Sequence, residues 1–584
     1  MIQVHYQKRK NAELFKSLED SETLFLCQTQ NYVPIYNKFF SLNDTNFNGL
    51  NLNNKWYITN INEKLEDNEH LYNCRIKNIV NNKVKDKNVF FKLAPLLDPY
   101  KYLVGKYNIQ DERMFTLPKL DSTAQDCHEK FMDTNNSAYI DGLFLYLTSQ
   151  LIHNTYFPHG VDYYGSFLAI KQKYVVNVYD DIDYLSTSDF FNKNKNVLFK
   201  IDDYAHLIPG EEKLKPIHIE HNTSAKSQLS VHSIDQGMFE DVFEEKGVPY
   251  VDLEEMTSSS LLENKDANQS VTLKSGSTCS SRSSHTEEEG EVEEEDEEDD
   301  NDDENDEDDE NDEDDLEEDL EEEDDLEEDD DEILHATIPK FPVHVISMEH
   351  CENTFDDLIL NGDLTTEEWL SAFMQIIMIL ITYQKAFHFT HNDLHTNNIM
   401  YNHTDTKFMY YCYKKNYYKV PTYGRIFKVI DFGRSIYKFD GKLFCSDSFQ
   451  IGGDAATQYN IEPYFNDKKP RLEPNYSFDL CRLACSIFDY IIDDIEEVKD
   501  LSKCEDPIKR LIVEWCLDDK GMNMLYKNNG SDRYPDFKLY KMIARYVHHH
   551  TPHAQLERPE FKHFLYNGEI TKEMMNIDEI PVFV

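Results

Sequence analysis

The spacing of hydrophobic positions changes several times along this chain, and each change marks a different element. Between residues 56 and 93 short apolar runs alternate with polar turns. Residues 71–80, the Asn81-Asn82 pair and residues 89–93 predict antiparallel strands joined by a turn or short loop. Ile140, Leu143, Leu147 and Leu151 fall on one stripe and predict a helix over 138–152. Residues 163–179 return to a strand-like pattern, and 343–348 read as a buried strand. Thr365-Thr366-Glu367-Glu368 is a capping box that opens a long apolar helix reaching about Ala386. Further helices are expected over 478–492 and 537–547. The first fifty residues are Asn-rich and without a sustained period, which suits an extension or an irregular cap. Strands first and helices later predict an α+β chain with a small sheet lobe and a larger helical lobe.

Composition adds an interruption. The chain has 584 residues and a net charge of −54, but 38 of the 46 residues over 287–332 are acidic. Without that run, 58 basic residues face 74 acidic ones, so the rest is only moderately acidic. A Ser-rich stretch (257–285) precedes the run. Neither can bury enough apolar area to offset chain entropy, so disorder is expected there. The divisions are therefore an N-terminal extension (1–50), a sheet lobe (51–186, completed by 338–350), an insertion (187–337) and a helical lobe (351–584). The acidic run suits either a solvated spacer or a surface that captures a basic partner.

The eleven cysteines form no C-x-x-C pair. Cys481 and Cys485, four apart on a helix, are expected as buried apolar side chains, as in a reducing compartment. His548-His549-His550 with His553 reads as a polar helix end rather than a metal site. The N-terminus has no apolar signal core. The longest apolar stretch, 369–383, is broken by Ser371, Gln375 and Thr382 and is shorter than a membrane span. A soluble, intracellular protein without membrane attachment is expected. No basic patch with interleaved aromatics points to direct nucleic-acid binding.

The chemistry concentrates after the long helix. His391-Asn392-Asp393-Leu394-His395-Thr396-Asn397-Asn398 is followed by Phe427-Lys428-Val429-Ile430-Asp431-Phe432-Gly433. Phosphoryl transfer needs a carboxylate to orient the attacking hydroxyl and oxygen ligands to hold magnesium on phosphates. Asp393 suits the first task. Asn398, five residues on, and Asp431, where an apolar strand meets a Gly turn, suit the second.

In this order the two motifs resemble the catalytic loop H-R-D-L-x-x-x-N and the D-F-G motif of the protein-kinase superfamily. The resemblance covers about two-thirds of the chain and implies a two-lobed fold, ATP and Mg2+ as cofactors, and transfer to a hydroxyl. It implies that Lys92, in Val89-Phe90-Phe91-Lys92, contacts the nucleotide phosphates. The family pairs that Lys with a helix Glu, yet no Glu occurs between Glu129 and Glu211. Asp141, one methylene shorter, is the best substitute and Glu129 the fallback. Met348-Glu349-His350-Cys351 matches the hinge, so backbone groups from Glu349 to Cys351 are expected at the adenine. Asp479 resembles the helix Asp that braces the catalytic loop. His395 stands where a Lys is usual; it either supports the transferring phosphate when protonated or packs the loop.

Three departures matter. The G-x-G-x-x-G loop is absent, Asn392 replaces the Arg that pairs with a phosphorylated segment, and Ile461-Glu462-Pro463 is a poor A-P-E. The loop, the Tyr-rich insertion over 401–427 and the Asn- and Tyr-rich composition are similar to serine/threonine protein kinases of giant DNA viruses. That resemblance implies a protein substrate, basic if it docks on the acidic run, and host cytoplasm or virion as location. The alternatives are a small-molecule kinase similar to aminoglycoside phosphotransferases, and a pseudokinase scaffold.

Overall fold

The computed structural model describes residues 2–22, 24–65, 68–202, 204, 334–362, 364–492, 501–527, 530–535, 537–568 and 574–584. The Ser-rich and acidic runs lie outside the described residues, and the expected insertion over 187–337 is described only at its two ends.

An antiparallel sheet dominates the N-terminal part. Its strands are β1 (Leu26–Gln30), β2 (Trp56–Lys64), β3 (Leu71–Asn78), β4 (Val84–Pro95), β5 (Tyr163–Asn177) and β6 (His335–Glu349), with the helix α1 (Ser137–Thr155) between β4 and β5. The spatial order is β1-β5-β6-β4-β3-β2, and a short strand, Lys200–Ile201, pairs with the start of β6. The expected hairpin is present, with Leu71 opposite Phe90 and Ile76 opposite Lys85. Strand β6 is central, flanked by β5 and β4, and every residue over 341–349 is buried. Continuous burial demands an unbroken apolar run rather than alternation, and Phe341-Pro342-Val343-His344-Val345-Ile346 supplies most of it.

The first fifty residues do not form a separate extension. Strand β1 extends the sheet beside β5, Leu14, Leu18 and Leu24 are buried, and Phe15 meets Phe167 edge-on at 5.5 Å. They cover the sheet face opposite α1. A five-residue edge strand reading Leu-Cys-Gln-Thr-Gln has no period for a sequence pattern to register.

The rest of the chain is helix-rich. The helix α2 (Thr366–Phe387) begins at the expected capping box: the Glu368 N–H donates to the Thr365 hydroxyl at 3.3 Å and the Thr365 N–H to Glu368 Oε2 at 3.1 Å. At 22 residues it exceeds the apolar stretch counted from the sequence, and among the described residues it alone is long and apolar enough to cross a membrane. It is enclosed by protein: 94% of its most apolar window is buried, with Phe144 against its Tyr383 and Trp515 against its Phe373. Beyond it come β7 (Ile399–His403), the hairpin β8 (Phe408–Tyr413) and β9 (Asn416–Pro421), β10 (Arg425–Val429), the hairpin β11 (Ile436–Phe439) and β12 (Lys442–Cys445), then α3 (Phe478–Ile491) and α4 (Lys538–Tyr546). The Tyr-rich insertion is thus the β8–β9 hairpin, completed by Met575–Asn576 running parallel to β8.

One aromatic cluster joins the two parts. Phe144 of α1 stacks on Phe389 at 4.3 Å and lies 4.7 Å from Phe432 and from Tyr437. Tyr383 of α2 closes the ring around it at 5.3 Å. The sheet's helix is thereby packed on Phe389, just before the loop that begins at His391, and on the Phe of Asp431-Phe432-Gly433. Phe144→Ala should destabilise the fold by about 3–5 kcal/mol, read as a lowered midpoint in thermal or urea unfolding; a midpoint unchanged from wild type would contradict this.

Candidate active site

Lys92 leaves β4 on the face covered by α1, and two carboxylates from distant parts of the chain meet its ammonium. Its Nζ lies 2.7 Å from Asp141 Oδ2 and 3.0 Å from Asp431 Oδ1. The other oxygen of Asp141 accepts from the N–H of Phe432 at 2.9 Å. Asp141, not Glu129, fills the acidic position; Glu129 is exposed in a separate short helix, Glu129–Met132. A carboxylate one methylene shorter than Glu requires the helix to lie closer to the strand. Gly142 permits this, because a Cβ there would sit 2.4 Å from Cε1 of His344 in β6. His344 is itself held by a 2.7 Å bond from Nδ1 to the carbonyl of Ala138.

Burial alone would lower the Lys92 pKa, but Asp141 and Asp431 outweigh it and raise it. Burial raises that of Asp141 despite Lys92, whereas Asp431 is held low, the lysine overcoming its burial. An ammonium flanked by two carboxylates stays charged, and removing the lysine would leave two carboxylates facing each other without their counter-charge.

The loop from His391 to Asn398 hangs from another buried acid, Asp479. Asp479, in the first turn of α3, accepts from the N–H groups of His391 (2.9 Å) and Asn392 (2.9 Å). This is the bracing role expected of it. His391 Nε2 donates to the carbonyl of Ile430 at 2.9 Å, tying the loop to the strand that ends at Asp431. Asn392, with φ 65°, donates to the carbonyl of Arg434 at 3.1 Å and accepts from the Tyr459 hydroxyl at 2.8 Å. Asn398 Nδ2 donates to the Asp393 carbonyl at 2.9 Å and lies 3.0 Å from Nε2 of His395. With its amide nitrogen so occupied, Asn398 has its oxygen left to serve as a ligand.

His395 lies within the same loop, beside Asp393 and Asn398. Burial, only partly offset by Asp393, pushes its pKa down to about 4, so it is neutral near pH 7 and accepts the amide bond of Asn398. Its Nε2 is thus engaged inside the loop with Asn398.

Sequence reasoning missed the groups around Asp393. Its Oδ1 accepts from the Tyr540 hydroxyl of α4 at 2.8 Å, and its Oδ2 lies 3.7 Å from Arg434 Nη1. Arg434, buried at 5% exposure, also donates through Nε to Asp454 at 3.2 Å. Arg482 lies over the Tyr540 ring at 5.0 Å. Burial opposes ionisation of Asp393, yet Arg434, His395 and Arg482 prevail and hold its pKa at about 2. Arg434 directly follows Asp431-Phe432-Gly433 and could have been flagged by that adjacency; Tyr540 carries no local signal.

A single cavity is lined by Lys92, Asp141, Asp393, Asn398 and Asp431, together with Arg434. Glu349 and Cys351 lie outside that lining. The Glu349 side chain is a buried strut: Oε2 lies 3.1 Å from Lys428 Nζ and accepts from the Asp162 N–H at 2.9 Å, while Oε1 accepts from Asn402 at 2.9 Å. Lys428 also donates to the carbonyl of Gly160 at 2.6 Å. Cys351 is buried, and burial pushes its thiol up. Phe90, two residues before Lys92 and so on the same strand face, stands opposite Met348.

Among the described residues no group of three or more His, Cys, Asp or Glu could hold a metal ion. Asp431 and Asn398 offer two hard oxygen ligands, the number Mg2+ takes when phosphates and water complete its shell. His548 instead pairs with Asp519 at 2.6 Å, and Cys481 and Cys485 are buried, with Cys485 3.9 Å from Cys516. No protein-family model matches the chain, and no curated protein matches it.

Two outcomes follow from this geometry. Gly142→Ala should push α1 from the sheet, costing about 1–3 kcal/mol, read as a lowered unfolding midpoint; a midpoint equal to wild type would refute the close-approach argument. Asp393, depressed to about 2, stays ionised as pH falls to that value, so it should give turnover no acid limb between about pH 5 and 8. Arg434→Gln removes the main charge holding it down, its pKa rises, and an acid limb should enter the pH–rate profile from below; an unshifted profile would exclude the coupling.

Proposed function

We propose that the chain is an ATP-dependent phosphotransferase of the two-lobed protein-kinase type, passing the γ-phosphoryl group to a serine or threonine hydroxyl of a protein. The observation that carries this reading is Lys92 held between Asp141 and Asp431 in the cavity that also contains Asp393 and Asn398. These five groups come from four separate elements. A structural ion pair has no need of Asp393 and Asn398 beside it. The strand order, with a helix between its fourth and fifth strands in chain sequence, supports the same reading, as does the catalytic-loop resemblance.

Mg2+ with ATP would supply the phosphoryl group and neutralise its charge, with Asp431 and Asn398 as the protein's ligands. Lys92 would bind phosphate oxygens while Asp141 fixes its position. Asp393, fully ionised, orients the acceptor hydroxyl by accepting its hydrogen bond; with a pKa of about 2 it is a weak base, so its contribution is alignment more than early proton removal. Arg434 and Tyr540 hold the carboxylate in place and leave acceptor capacity on both oxygens, since a carboxylate has about four lone-pair sites. Asp479 and His391 keep the loop from moving as the charge shifts.

The choice of a protein acceptor rests on the resemblance to the viral kinases. The test is transfer of radiolabel from ATP with magnesium to a basic protein such as histone, comparing wild type with Asp393→Asn. Labelling should fall by at least about 100-fold in the variant. Equal labelling in both would remove the assignment of Asp393, and absence of labelling in wild type, with ATP binding intact, would favour a small-molecule acceptor.

A further inference from the structure

The segment after Asp431-Phe432-Gly433 carries a second acid whose position the catalytic geometry has not yet explained. Asp447 is 2% exposed in the short turn Asp447–Phe449. Its Oδ1 accepts from the N–H of Ser137, the first residue of α1, at 2.9 Å, and its Oδ2 lies 3.0 Å from Lys130 Nζ. Its own N–H donates to the carbonyl of Asn135 at 2.8 Å. Asn136 caps the next N–H of the helix, that of Ala138, at 3.1 Å. A carboxylate here meets the positive end of the helix dipole and satisfies a donor that would otherwise be orphaned.

The same segment is fastened at its other end. Asp454 takes Arg434, and Arg434 reaches Asp393. Between the two acids the chain doubles back, with the Ala455 N–H donating to the Ser448 carbonyl at 2.8 Å. Gly453 is required by that turn, since a Cβ there would lie 2.3 Å from the same oxygen. One compact segment therefore bridges the helix that bears Asp141 and the carboxylate that orients the acceptor. Its hydroxyls are sequestered: Ser435, Tyr437 and Ser446 are 0% exposed, Ser448 9% and Tyr459 7%, leaving Thr457 as the exposed one from 434 to 460.

We infer that Asp447 is a positioning residue, a built-in carboxylate that clamps the acceptor-side segment onto the first turn of α1 and so holds Asp141 against Lys92 with no phosphorylation of the segment. The inference rests on the phosphotransferase reading for its catalytic consequence, but the clamp itself is a structural statement. Lys130 strengthens it: burial would lower its pKa, and Asp447 outweighs this and raises it.

The test compares wild type, Asp447→Asn, Asp447→Glu and Thr457→Val as full-length chains, with amide hydrogen exchange and turnover measured on each. Asp447→Asn should remain folded by thermal melt, exchange the Ser137–Ala138 amides at least tenfold faster, and lose at least tenfold in turnover with a raised KM for ATP. Asp447→Glu should recover part of both. Thr457→Val and phosphatase-treated wild type should turn over as untreated wild type does. Loss of turnover on phosphatase treatment would overturn the inference, as would Asp447→Asn with unaltered exchange. An inert wild type whose Ser137 exchange still responds to Asp447→Asn would sink the phosphotransferase reading alone and leave the clamp standing.

Discussion

A half-buried ammonium between two carboxylates is the constraint on which the other parts depend. Lys92, Asp141 and Asp431 come from a sheet strand, the helix laid over it, and the strand end beyond α2. Desolvating three charges is costly, and only their mutual proximity and further hydrogen bonds repay it. Sheet, helix and C-terminal part must therefore approach within a few ångströms and stay there. Gly142 lets the helix descend, the Phe432 N–H occupies the second oxygen of Asp141, and the aromatic cluster around Phe144 fills the space beneath. Each of these would be an unremarkable packing detail elsewhere. Here they set the length of one ion pair.

The second half of the site is arranged so that nothing reactive is left to orient itself. Asp479 fixes two N–H groups of the catalytic loop, His391 ties that loop to Ile430, and neutral His395 aligns the amide of Asn398. Arg434 couples Asp393 to Asp454, and Asp447 carries the coupling back to α1. The carboxylate that would align an acceptor and the lysine that would hold phosphate are thus linked through hydrogen bonds, ion pairs and the short backbone turn between Asp447 and Asp454. Such preorganisation is where polar sites gain most of their effect, because no reorientation is needed when charge develops. The buried strut of Glu349, Lys428 and Asn402, beside His159 bonded to Phe427 and Tyr411, keeps the two parts in fixed relation at the opposite edge.

Much of this was legible along the chain because the signals were local. The hairpin of β3 and β4, the stripe of α1 and the capping box of α2 announce themselves by period or by neighbouring residues, and Asp393, Asn398 and Asp431 by short motifs. The incorporation of the first fifty residues into the sheet was not legible, since β1 is short and aperiodic. Nor was the protonation of His395, which depends on burial that a loop sequence does not reveal. Tyr540, 147 residues from Asp393, and Asp447, 310 residues from Ser137, belong to contacts that no local pattern encodes.

The sequence by itself determined which residue types were present to do chemistry and the order in which they occur, because motifs and periods are properties of neighbours. It also narrowed the acids that could meet Lys92 to Asp141 and the fallback Glu129, since no other Glu stood in the interval. Tertiary structure alone decided whether that shorter side chain could reach, what charge each buried group would carry, and which distant acids would close the network. Those outcomes depend on distances and desolvation, and both exist only once the chain has packed.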